Sequence, residues 1–329
     1  MKEHLGAVII GTGHAVPDKV LTNHDLEKMV DTTDEWIFTR TGIRERRIAD
    51  ASQTTSMLAV QAARDALAMA KVEPAQINLI ITATITPDYI FPATSCLVQR
   101  ELGAMNAGGF DLEAACSGFV CGLITASNYL QCNPTHTALV IGAETLSKIT
   151  NYEDRSSCIL FGDGAGAVVM QLGPDGRGLM SGEMGLDGSG ADSMILPGGG
   201  SKRPASEETV KDKLHYMVIR GREVFRFAVT KMGDLMANAL SRNGLTVDDV
   251  ALVVPHQVNI RILEAAAERI GLPMEKIVIN IGRYGNTSAA SVPIALDEAN
   301  RAGRIKQGDV VILMGFGGGL TWASATMRW

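Results

Sequence analysis

Cys116, His256 and Asn286 each stand where an apolar run gives way to a turn, in "GGFDLEAACSGFVCGL", "VVPHQVN" and "GRYGNTSAAS". A thiol is a strong nucleophile only as its thiolate. A cysteine opening a helix faces unpaired backbone N–H groups and the positive end of the helix dipole, so the spacing predicts a lowered thiol pKa at Cys116. Gly118 just beyond it leaves room for a substrate close to the backbone. The other cysteines (Cys96, Cys121, Cys132, Cys158) read as small core residues, and His4, His14, His24, His136 and His215 as surface or satisfied histidines. Taken singly, Cys116 could be a buried structural thiol and Asn286 a helix N-cap. It is the company the three keep that sets them apart.

That company comes from the elements around them. Helical spacing in "AVQAARDALAMAKV" leads into the strand-like "INLIITATITPD", and "VTKMGDLMANALSRNGL" leads in the same way into "DVALVVPHQVN". "FDLEAACSGFVCGLITASNYLQ" is followed by "THTALVIGAETL" and "GAGAVVMQL". "VINIGRYGNTSAASVPIALDEANRAG" is followed by "DVVILMGFGGGL" and "WASATMRW". The order helix, strand, strand-turn-helix, strand, strand therefore occurs twice, which predicts an α/β protein of two duplicated halves, residues 1–175 and 176–329. Ligands of such sheets bind beyond the carboxyl ends of strands. Cys116 and Asn286 are expected in matching turns, with His256 ending the strand that matches the one near Thr84.

Composition removes other classes. The chain has 329 residues, 46% of them hydrophobic, and a formal charge of −6, which offers nucleic acid no basic surface. No apolar run is long enough to span a bilayer, and the first apolar stretch is too glycine-broken for a signal peptide. Five cysteines without a CxxC pair predict a reduced, cytoplasmic protein without a zinc site. "GTGHAVP" lacks the third glycine of a dinucleotide fingerprint, and "FGDGAGA" lacks the lysine of a phosphate loop.

Six segments in one order, "DTTDEWIFTRTGIRERR", "EAACSGF", "ILFGDGAGA", "VPHQVN", "GNTSAAS" and "GFGGGLTW", give the whole chain a resemblance to the β-ketoacyl-[acyl-carrier-protein] synthase III family. The resemblance implies a thiolase-like fold, two βαβαβαββ halves in α-β-α-β-α layers. It implies a decarboxylative condensation of a short starter acyl-CoA with malonyl-acyl carrier protein through an acyl-Cys116 intermediate. His256 and Asn286 would stabilise the enolate, and the backbone N–H groups of Cys116 and Gly318 would form the acyl-transfer oxyanion hole. Elongating relatives carry two histidines, so Asn286 points to the initiating class.

The same resemblance assigns Trp36, Arg40 and Arg155 to CoA, and Phe91 and Phe316 to the acyl pocket, with Phe91 reaching across a homodimer interface. Arg226, Arg261 and Arg269 match carrier-protein docking positions, although Glu268 stands where a basic residue is common. No cofactor or metal is expected, since the CoA thioester is a substrate. The other arginines near Trp36 (Arg44, Arg46, Arg47) read in part as a solvated basic face, and the polar segment 182–215 as a surface loop. Two alternatives stay open: a secondary-metabolism condensing enzyme with another starter or acceptor, and a cysteine thioester hydrolase or non-catalytic acyl-binding protein.

Overall fold

The computed structural model describes residues 6–173 and 176–329. Its first sheet contains β1 (Gly6–Ala15), β2 (Leu79–Ala83), β3 (Gly108–Leu112), β4 (Ala138–Thr145) and β5 (Asp163–Gly173), ordered β1-β5-β4-β2-β3. β1, β5 and β4 run antiparallel to their neighbours, whereas β4, β2 and β3 run parallel. The second sheet contains β6 (Gly178–Leu186), β7 (Val250–Pro255), β8 (Val310–Gly317) and β9 (Thr321–Arg328), ordered β7-β8-β9-β6. Read from β6, it repeats the first sheet: two antiparallel pairings, one parallel pairing, then a parallel bridge from Val253 to Ile277.

β2 and β4 are buried along their whole length, as expected of strands covered on both faces. The alanine-rich face of α2 (Thr55–Ala70) packs Leu58, Ala62, Ala66 and Leu67 on one side of the first sheet. Two helices fill the space between the sheets, α4 (Gly118–Cys132) and α7 (Ser291–Arg301). Phe119, Leu123, Val292 and Leu296 there share one core with Val140 of one sheet and Leu313 of the other. α5 (Gly221–Asn243) and α6 (Ile260–Ile270) cover the outer face of the second sheet through Met232, Leu235, Ile262 and Leu263. The layers are α-β-α-β-α. Two further helices are α1 (Asp34–Thr41), capped by Thr33, and α3 (Thr94–Leu102) beside β3.

Each central helix opens after a short 3-10 turn, Ala115–Ser117 before α4 and Ser288–Ala290 before α7. Ala115 and Ser288 both adopt the left-handed conformation, φ 46° and 47°. This refines the expected match between halves: the counterpart of Cys116 is Ala289, and Asn286 lies upstream of it. Among the described residues no helix is long and apolar enough to cross a membrane. The segment expected as a polar loop holds more order than that. Met194–Ile195 pairs with Val218–Ile219, and Ser206 and Thr209 cap the short helix Glu207–Lys211 reciprocally.

Candidate active site

Cys116 sits at the end of β8 as well as at the head of α4. A Cβ on Gly317 would lie 2.7 Å from the Cys116 nitrogen and 3.1 Å from its sulfur, so only glycine allows this approach. On the other side, the turn carrying Asn286 packs against β4, where a Cβ on Gly142 would meet the Ala289 carbonyl oxygen at 2.2 Å. That turn is held by backbone bonds from Asn286 to Leu160 and from Gly162 to Asn286. His256, just past β7, is bonded through Nδ1 to Ser291 Oγ, the first residue of α7, at 2.6 Å. The structure thus brings Cys116, His256 and Asn286 around the few residues from Asn286 to Ser291.

Cys116, His256 and Asn286 are all buried. Burial holds the imidazole neutral, its pKa pulled down to about 3. Ser291 Oγ also accepts the Gln257 backbone N–H at 3.3 Å. Assigning the single hydroxyl proton to Nδ1 leaves the imidazole proton on Nε2, which is buried and has no partner among the described residues. Asn286 Oδ1 accepts the Ser288 backbone N–H at 2.9 Å, which turns the amide NH2 away as the donating end. Two neutral N–H donors result.

The thiol departs from expectation. Burial pushes the Cys116 pKa up to about 12, with the Glu144 carboxylate acting in the same sense and Ser288 against it. The helix N-terminus was expected to lower it, but removal from water dominates at a residue only 4% exposed. The resting nucleophile is a thiol. On β8, strand alternation turns Gly315 and Gly317 toward Cys116, and Phe316 packs in the core beside His256. There its ring meets the imidazole edge-on at 5.7 Å. Ser291, Ser288 and Glu144 went unread in the sequence. The available signal for Glu144 was an acid inside the otherwise apolar "ALVIGAET".

Two family models match the chain, 3-oxoacyl-[acyl-carrier-protein (ACP)] synthase III over residues 110–188 and its C-terminal model over residues 240–329. The β-ketoacyl-[acyl-carrier-protein] synthase III of Desulfitobacterium hafniense strain Y51 is 54% identical over 98% of the chain and 97% of its own length. That of Caldanaerobacter subterraneus subsp. tengcongensis is 53% identical over 100% of the chain and 99% of its own length. The chain belongs to the synthase III family. The crystal structure of 3-oxoacyl-[acyl-carrier-protein] synthase III from Aquifex aeolicus superposes with a TM-score of 0.92 at 45% identity, covering 98% of this chain and all of that one. Membership in the synthase III family makes the chain a condensing acyltransferase that initiates fatty acid synthesis, on the thiolase fold.

The remaining synthase III positions are distributed as follows. Two guanidinium groups lie over the Trp36 ring, Arg40 at 4.3 Å and Arg155 at 5.0 Å from its centre. Arg155 also donates to the Asp31 carbonyl at 2.9 Å. Arg46 is no part of a solvated face: it is fully buried and donates to Leu21, Asn23 and Ile159. Phe91 is 84% exposed on a loop with Tyr89 and Ile90. Arg226 is exposed, whereas Arg261 donates to the Thr39 carbonyl and Arg269 pairs with Asp234. Among the described residues no cluster of His, Cys, Asp or Glu could hold a metal ion.

Proposed function

We propose that the chain transfers a short acyl group from CoA to Cys116, then condenses it with malonyl-acyl carrier protein, giving 3-ketoacyl-acyl carrier protein and CO2. The observation that carries this reading is that His256 Nδ1 is engaged by Ser291 and Asn286 Oδ1 by the Ser288 N–H, which leaves His256 Nε2 and the Asn286 amide to act as the donor pair. In the first half-reaction the Cys116 sulfur attacks the thioester carbonyl. The oxyanion falls to the backbone N–H groups of Cys116 and Gly318, each near the start of a 3-10 turn where no intrahelical acceptor exists. CoA leaves. In the second, loss of CO2 leaves an enolate on the malonyl thioester, and its oxygen accepts from His256 and Asn286 without a metal. The carbanion then attacks the acyl-Cys116 carbonyl.

The rest of the reading concerns partners. Adenine stacks at Trp36 with Arg40 and Arg155 beside the phosphates, because guanidinium groups both stack on rings and pair with phosphate. The exposed Ile90 and Phe91 and the edge strand β3, with Phe110 exposed, support a homodimer in which Phe91 closes the partner's acyl pocket. Arg226 is the best-placed carrier-protein contact, since Arg261 and Arg269 already have acceptors. The enzyme acts in the cytoplasm, in keeping with its free cysteines. Intact-mass analysis after incubation with acetyl-CoA and longer acyl-CoAs tests the central claim. One acyl group per chain, mapped to Cys116, is expected, and an adduct at Cys121 or Cys158 instead would overturn it.

A further inference from the structure

The two enolate donors come from separate segments: His256 follows β7, whereas Asn286 follows the short helix Ile281–Tyr284. One side chain is bonded to both segments. Gln257 is buried, only 1% exposed, and no step of the chemistry above uses it. Its amide nitrogen donates to the Pro255 and Val278 carbonyls, each at 2.9 Å. Its Oε1 accepts the backbone N–H groups of Asn280 at 3.0 Å and Ile281 at 3.2 Å. Both amide hydrogens and both acceptor sites are thereby used, the full capacity of the group. The reason for a glutamine here lies one residue upstream of His256. The Val278 N–H donates to the Val253 carbonyl at 2.9 Å, the start of a parallel ladder. The next rung would run from the N–H of residue 255 to the Val278 carbonyl. Pro255 has no N–H to give, and the Gln257 amide takes its place.

We propose that Gln257 is a positioning residue that sets the placement of His256 Nε2 relative to the Asn286 amide. One end of its side chain holds Pro255, the residue before the imidazole. The other holds Ile281, which opens the turn that delivers Asn286 and whose carbonyl accepts the Gly285 N–H at 2.9 Å. The Gln257 backbone N–H donates to Ser291 Oγ, the hydroxyl that engages His256 Nδ1. α7 closes the circuit from that serine. Seven residues on, Glu298 accepts from Asn280 Nδ2 at 2.9 Å and from the Tyr284 hydroxyl at 2.7 Å. An oxyanion hole acts only where its donors already stand at the developing charge. Loss of the Gln257 amide leaves both donors in the chain but frees one segment to shift against the other. Decarboxylation, which uses both donors, is therefore the step that suffers. Acyl transfer, which uses Cys116 and backbone N–H groups from other elements, is spared.

The inference rests on His256 and Asn286 being the enolate donors, and the experiment separates the two. Labelled CO2 release from malonyl-acyl carrier protein and acylation of Cys116 by acetyl-CoA are measured in the wild type, Gln257→Met, Asn286→Ala and the double variant. Wild-type CO2 release in Asn286→Ala would refute the donor pair itself. With that variant slow, positioning predicts a kcat for CO2 release roughly tenfold or more lower in Gln257→Met, KM unchanged and acylation within about twofold of wild type. In the Asn286→Ala background the same substitution should cost about twofold or less, since no pair remains to be aligned. Equal slowing of both half-reactions, an equal factor in both backgrounds, or wild-type kcat in Gln257→Met would overturn the proposal. Gln257→Glu keeps the acceptor for Asn280 and Ile281 and loses the amide donors, and it should show the same split between half-reactions. Hydrogen–deuterium exchange of the wild type needs no variant to fold. The Asn280 and Ile281 amides should exchange as slowly as those of β8, and exchange as fast as that of exposed loops would overturn the proposal.

Discussion

At the scale of single residues, the proposed mechanism divides two tasks between groups that cannot exchange them. Cys116 supplies the sulfur, and the Asn286 amide, which does not titrate near neutrality, contributes only a hydrogen bond. Losing one oxyanion donor typically costs roughly 2.7–4 kcal/mol, about a hundred- to thousandfold in rate. Asn286→Ala should therefore still accept an acyl group, yet release labelled CO2 from malonyl-acyl carrier protein that much more slowly. Cys116→Ala should show the converse, no acylation with residual CO2 release. Wild-type decarboxylation in Asn286→Ala would end this division of labour. Ser291→Ala makes a finer point. It frees Nδ1 of His256, so the proton can move from Nε2 and the second donor is lost in part of the population. Slower decarboxylation with the adduct yield on Cys116 retained is the expected result; unchanged CO2 release would dissociate Ser291 from the tautomer. Cys116, His256 and Asn286 could be singled out in sequence because each is a polar residue at a strand end. Ser291 could not, because a serine opening a small-residue helix is indistinguishable from an ordinary one until its hydroxyl is seen on the imidazole. The direction of the thiol pKa was likewise hidden, since desolvation depends on what β8 and the Ser288 turn place over the sulfur.

At the scale of elements, the sequence pattern disclosed the repeat but not its register. Apolar runs ending in glycine-rich turns recur in order, and that suffices to pair β2 with β7 and α4 with α7. It could not show that Ala115 and Ser288 are the matched left-handed residues, because backbone conformation at a non-glycine leaves little trace in composition. Nor could it show that Phe316 packs in the core beside His256, a question of strand alternation that "GFGGG" obscures. Two predictions belong here. Gly317→Ala pushes a methyl group against the Cys116 backbone and sulfur. Overpacking should cost about 1–3 kcal/mol of stability, and displacement of the nucleophile about a hundredfold in acylation rate. Denaturant titration and quenched-flow acylation measure the two separately, and full-speed acylation would show that the close approach is not needed. Arg46 links the segment bearing Trp36 and Arg40 to the Ile159 region after Arg155, through Leu21, Asn23 and Ile159. Burial lowers its pKa to about 10, so it stays charged at neutral pH. Arg46→Met abandons three buried acceptors at about 1–3 kcal/mol each. It should lower stability and raise the KM for acyl-CoA more than it lowers kcat, because the nucleotide lies far from the chemistry. A variant with unaltered KM would confine Arg46 to a purely local role.

At the scale of the whole molecule, burying the site between the two sheets makes folding stability respond to pH through the buried titratable groups His256 and Glu144. The layered core was legible in sequence, since alternating apolar helices and strands admit few other packings. The titration of its polar centre was not, because it follows first from burial, which the pattern of residue types does not measure. His256 normally titrates near 6.5 and is held down to about 3 by burial. Between those values the unfolded chain binds a proton that the folded chain does not, so this group's contribution to stability is lost as pH falls from 6.5 toward 3. Glu144 behaves in the opposite sense. Burial raises its pKa from 4.5 to about 7, with hydrogen bonds from Thr86, Ile85, Ser288 and Thr84 opposing the rise. Between 4.5 and 7 the folded chain keeps a proton that the unfolded chain has released, so its contribution is present below 4.5 and lost as pH rises through 7. From 4.5 to 6.5 the two slopes oppose one another, which predicts a broad stability maximum there, a His256-driven fall on the acid side and a Glu144-driven fall approaching neutrality. Denaturant unfolding from pH 3 to 9 should show Glu144→Gln gaining stability relative to wild type as pH rises from 4.5 to 7, and then holding a constant difference. A difference that does not change with pH across that window would mean that Glu144 titrates alike in the folded and unfolded chains, and that its burial between the halves has no hold on its proton.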